Sequence, residues 1–129
     1  MLKKLNSLLL TILLSLAFNV VAEPAADNRY QGYIQDIEQR LDNTLSLYQQ
    51  GEQNQAKSAV QMAYFEVFEN LEGPIRINIS AQKSYQLEAT FGEIRKMITE
   101  NQPESVIASK INWLKNELNQ LESVLNDGH

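Results

Sequence analysis

From Asn28 to Asn126, apolar residues return every three or four positions in four stretches separated by short breaks. That spacing matches the ~3.6-residue period of an amphipathic helix. Tyr30, Ile34, Ile37, Leu41, Leu45 and Tyr48 mark a first helix predicted over 28–50. Asp27 or Asn28 suits its N-cap, and Gly51 suits the left-handed position past its end. Ala56, Val60, Ala63, Tyr64, Val67 and Leu71 mark a second over 52–71, which Gly73-Pro74 is expected to stop, because a residue before proline avoids helical geometry. The third is predicted over 74–101, with Leu87, Phe91, Ile94 and Ile98 on its stripe, Ile77 on the same face and Pro74 at its first position. Its opening has a second reading. Ile75, Ile77 and Ile79 alternate with polar residues as a short strand would. Ile107, Ile111, Leu114, Leu118, Leu121 and Leu125 give a fourth helix over 103–126. Short connections favour antiparallel neighbours, so the expected fold is all-α, an antiparallel up-down-up-down four-helix bundle over 28–126.

The start of the chain follows a different pattern. Met1-Leu2-Lys3-Lys4 precedes an apolar run from Leu8 to Ala22, and Val20-Val21-Ala22 offers small residues for cleavage. This reads as a secretory signal peptide over 1–22, with a lead-in over 23–27. The run is shorter than the ~20 apolar residues a membrane span needs. The mature chain is then expected to be periplasmic, soluble and without a membrane span. Cleavage removes 22 of 129 residues and two lysines, leaving 107 residues with 9 basic against 16 acidic side chains, a net charge of −7. An acidic domain is a poor match for nucleic acid, which selects clustered Lys and Arg. Cysteine is absent and the single histidine is the last residue, His129. Thiolate zinc sites, haem ligation by paired histidines and Ser-His-Asp or Cys-His catalysis are therefore not expected, nor is an enzyme.

Oxygen chemistry remains. Glu66, Glu69 and Glu72 fall three apart at the predicted end of the second helix. In a last turn the helix dipole disfavours each carboxylate by ~0.3–1 kcal/mol, so a positive partner is expected. Arg76 and a bound cation are the two candidates. On the third helix Glu88 and Arg95 flank the face centred on Phe91, and Glu66 flanks the second. Flanking carboxylates on facing helices are how bundles build sites for hard cations. They also form ordinary salt bridges, and Glu88 with Arg95 is one such pairing. Met62 and Phe65 lie opposite Val67, which marks either a contact surface or coverage by the first and third helices. Tyr30, Tyr33, Tyr48, Tyr64 and Trp113 are read as core and rim packing. Gly92 inside a helix suggests close approach of a neighbour.

The segments Ala63-Tyr64-Phe65-Glu66-Val67-Phe68-Glu69, Leu71-Glu72-Gly73-Pro74-Ile75-Arg76 and Tyr85-Gln86-Leu87-Glu88-Ala89-Thr90-Phe91-Gly92-Glu93-Ile94-Arg95 resemble one known domain. It is the N-terminal extracytoplasmic domain of bacterial Ftr-type high-affinity iron permeases, and the resemblance is specific over 59–98. The family's transport signature, Arg-Glu-Gly-Leu-Glu in transmembrane helices, is absent from this chain. The resemblance implies an accessory role in iron uptake. Glu66, Glu69 and Glu88 are the matched acidic positions for binding iron, and a membrane permease or another envelope protein is the partner. The alternative is a metal-free interaction module whose surface includes Met62, Phe65, Glu72 and Arg76.

Overall fold

The structure, a computed structural model, describes residues 29–127. The predicted signal peptide, lead-in and first N-cap lie outside the described residues. Among the described residues every regular element is helical: α1 (Arg29–Gln49), α2 (Gln53–Met62), a π turn (Ala63–Phe68), α3 (Glu69–Asn78), α4 (Ala81–Thr99) and α5 (Glu104–Asp127). The elements α2, the π turn and α3 follow one another without a gap, so the described residues form four rods. No described helix is long and apolar enough to cross a membrane.

The first and last rods match their predicted stripes. Tyr30, Ile34, Ile37 and Leu41 are buried in α1, and all six predicted apolar positions are buried in α5. Each fully buried Leu or Ile contributes ~1.5–3 kcal/mol, so these faces pull both helices onto a common core. Polar ties along the seam climb one helix as they descend the other: Gln49 to Glu104, Lys115 to Asp42, and Asn119 to Glu38. Gly51 turns the chain out of α1 at φ +79°, as expected of a left-handed cap. Asn101 makes the equivalent turn after α4 at φ 54°, a conformation asparagine tolerates better than most residues.

The middle of the chain departs from expectation. Gly73-Pro74 does not stop the second rod, which continues to Asn78. Leu71 and Ile75 bracket that pair and are both fully buried. Burial of Ile75, whose carbonyl accepts from the Ile79 and Ser80 amides at 2.9 and 3.0 Å, offsets the proline's missing donor. The third rod therefore starts at Ala81 and not at Pro74. Ile77 is 83% exposed and belongs to no apolar face of that rod. Ile75 and Ile77 are helical and Ile79 lies in the turn that ends the rod, so the strand reading also falls.

The break between the rods is set by Ser80. Its backbone is extended, and its Oγ accepts from the Lys83 amide at 3.0 Å, an N-cap. Replacing Ser80 with alanine is expected to cost about 1 kcal/mol. A urea midpoint lowered accordingly, with unchanged slope, checks it.

Candidate groove at the π turn

A straight α-helix cannot keep the second rod's apolar face in one line. Ala56 and Ile75 are 19 residues apart, which at about 100° per residue sets them ~100° out of register. Both are fully buried. The π turn absorbs one residue and returns them to the same side. Its signature is the Glu69 amide, which donates to the Tyr64 carbonyl five residues back. The Asn70 side-chain amide serves the carbonyls of Glu66 and Val67, both at 3.1 Å, where the regular ladder is interrupted.

The same turn gathers aromatic rings. Phe68 is fully buried and lies 5.0 Å from Phe91 of α4, centroid to centroid. Tyr64 sits 5.8 Å from both rings. Phe65 stands edge-on to Tyr64 at 5.0 Å and is 50% exposed, and Met62 one turn earlier is 37% exposed. The contact-surface reading of Met62 and Phe65 thus finds both side chains uncovered.

Beside this cluster runs a groove of ≈ 280 Å³. Gln61, Tyr64 and Phe65 form one wall, while Glu88, Phe91, Gly92 and Arg95 of α4 form the other. Gly92 does not mark a close approach. No neighbouring atom lies within 4 Å of where its Cβ would stand, so the missing side chain leaves the groove open.

The predicted acidic set is not brought together. Among the described residues no group of three or more His, Cys, Asp or Glu side chains is placed to hold a metal ion. Glu66 turns toward α1, where its carboxylate lies 3.5 Å from the Arg40 guanidinium, itself bonded to Asp36 at 2.9 Å. Glu69 is exposed on the second rod. Glu88 lines the groove. The dipole argument for Glu69 and Glu72 also lapses, because α3 continues past both and neither lies in a last turn. Arg76 stacks over the Tyr85 ring at 5.0 Å and makes no ion pair with Glu72.

What the sequence reading missed is the Tyr64 phenol. Its hydroxyl donates to Glu72 Oε1 at 2.7 Å. Residues eight apart would diverge by ~80° on a regular helix, and the absorbed residue brings them nearly into line. The tyrosine's pKa is raised above its ordinary value of 10.0, first by burial, then by the bond to Glu72 and the charges of Glu72 and Glu88. Raised in the folded state, it contributes stability that is complete below pH ~10 and is lost as pH climbs through the folded value. The expected result in an ultraviolet alkaline titration is one of the five phenols ionising late and together with unfolding. Tyr64→Phe should remove that late step.

Arg95 is the other feature of note. It is exposed at the groove's edge, and no carboxylate of the described residues lies within ion-pair distance of it. The Glu88–Arg95 pairing, the alternative to a cation site, is not formed. Scans against family models, curated proteins and solved structures find no match to this chain.

Proposed function

We propose that this protein is an exported, non-catalytic bundle of antiparallel up-down-up-down helices that works by binding at the groove beside its π turn. The observation that carries this reading is the π turn itself. It holds Phe65 half exposed over an open floor at Gly92, rimmed by Gln61, Glu88 and Arg95. π turns are rare and concentrate at functional sites, and exposed apolar residues with a polar rim mark contact surfaces. The leader-like start of the chain supports a place in the periplasm. The resemblance to the permease domain supports an accessory role in iron uptake, with a membrane permease or another envelope protein as partner.

A photo-crosslinking residue at Phe65, compared with one at Ile77 away from the groove, tests the surface in cells. A discrete adduct at position 65 that disappears with Gly92→Leu is the expected result. Equal labelling at the two positions would rule the surface out.

A second reading, capture of iron for handover to the partner, has its own supporting observation. The Tyr64 hydroxyl bonds Glu72 from one rod and feels Glu88 from the next, so hard oxygen donors of two rods converge. Such donors suit ferric iron and other hard cations. Calorimetric titration with ferrous and ferric iron separates the readings. Saturable binding weakened by Glu72→Gln or Glu88→Gln, and indifferent to Glu66→Gln and Glu69→Gln, would place iron at the phenol. No saturable heat leaves the docking surface alone.

A further inference from the structure

The groove has a direction. Glu88, Gly92 and Arg95 are spaced four and three residues apart on α4, so they lie along one line with the two charges at opposite ends, ~10.5 Å apart along the axis. The middle of that line is apolar: Phe91 below, Phe65 and Tyr64 opposite, and an open position at Gly92. At ≈ 280 Å³ the space falls just under the ~300–1,000 Å³ of pockets that enclose drug-sized ligands. It suits one apolar side chain with its main chain.

Arg95 presents a guanidinium that no described carboxylate satisfies, on a chain whose net charge is −5. Guanidinium and carboxylate pair through two parallel hydrogen bonds, which gives geometric selection as well as attraction. At the other end Glu88 repels a carboxylate and attracts a cation. An extended chain advances ~3.3 Å per residue, so three residues cover the distance between the charges.

We infer that the groove binds the C-terminus of a polypeptide, with the terminal carboxylate on Arg95, an apolar last side chain between Phe65 and Phe91, and a lysine or arginine about three residues upstream facing Glu88. The chain runs in one direction only, because reversal sets the carboxylate against Glu88. The inference rests on the groove being the working surface and adds the chemistry of what enters it.

The test is fluorescence anisotropy with the full protein and a labelled pentapeptide ending in phenylalanine, with lysine three residues before it. Saturable binding is expected, weaker by about tenfold or more for the C-terminal amide, the loss that follows from removing one charge-assisted pairing. Arg95→Gln should erase the difference between acid and amide. Gly92→Leu should abolish binding while helix content and melting temperature hold, since the glycine is helical, exposed and faces open space. Equal binding of acid and amide, or no saturation by either, overturns the inference. Displacement by free phenylalanine at the peptide's own half-saturating concentration overturns the chain terminus as its source. If the adduct at Phe65 forms but acid peptides do not bind, the groove stands and its carboxylate chemistry falls. If Gly92→Leu leaves that adduct intact, the groove itself is wrong.

Discussion

Phe68→Ala is expected to destabilise the domain by about 3–5 kcal/mol, the range for emptying a phenylalanine site in a packed core. Phe68 is fully buried and is the ring on which Tyr64 and Phe91 both lean. Those two neighbours sit on different rods, so the cavity cannot close without moving one rod against the other. A domain of this size is typically stable by only about 5–15 kcal/mol, so a large part of the total is at stake. At roughly 4–8 °C per kcal/mol the melting temperature should fall by well over 10 °C. Phe65→Ala, one turn-position away in the same π segment, should change stability by no more than about 0.5 kcal/mol, because that ring is half exposed. Thermal and urea denaturation of the two variants side by side measure the contrast. Similar losses would mean that the π turn does not separate a buried ring from a presented one. The first substitution also bears on binding. Phe91 lines the groove and is backed by Phe68, so the groove should loosen even where the variant remains folded.

The parts of the fold that were legible are those where one local rule goes unopposed. In α1 and α5 the apolar period is unbroken, and the stripes from Tyr30 to Leu41 and from Ile107 to Leu125 read directly as buried faces. Gly51 was legible for the same reason. At Gly73-Pro74 the local rule met a tertiary one. Proline disfavours a helix, yet Leu71 and Ile75 on either side are both core, and burial prevailed. The cap at Ser80 came only from the structure, because the apparent continuity of Ile77 with the third stripe hid the boundary there.

The candidate site was harder for a geometric reason. Every angular argument about Glu66, Glu69 and Glu72 assumed a constant rotation per residue, and the π turn breaks that assumption in the middle of the set. It brings Tyr64 onto Glu72, while Glu66 finds Arg40 from a rod 26 residues away in sequence. The one clue available beforehand was the helix that looked apolar on two sides. Met62 and Phe65 opposite Val67 were the trace of a register shift, and they identified the exposed surface without identifying its cause.

That cause yields the second large effect. If the π turn exists because the second rod carries one residue more than a regular helix can align, then removing one residue there should be tolerated. Deleting Phe65 is expected to give a continuous α-helix through this rod, with Ala56 and Ile75 still facing the core and stability changed by no more than ~1–2 kcal/mol. Deleting Ala89, an exposed residue in regular α4, has no such outlet. It rotates Phe91, Ile94 and Ile98 by ~100° relative to Leu87. Those three are core residues, and losing the burial of each costs ~2–5 kcal/mol, together about as much as the whole stability of a domain of this size. Circular dichroism and melting should therefore show a folded Phe65 deletion and an unfolded Ala89 deletion. The folded variant should have lost binding at the groove, since Phe65 is gone from one of its walls. A Phe65 deletion as unfolded as the Ala89 deletion would show that the turn is required for the fold. A folded one without binding makes it a device of the site, one extra residue kept where a regular helix would have none to present.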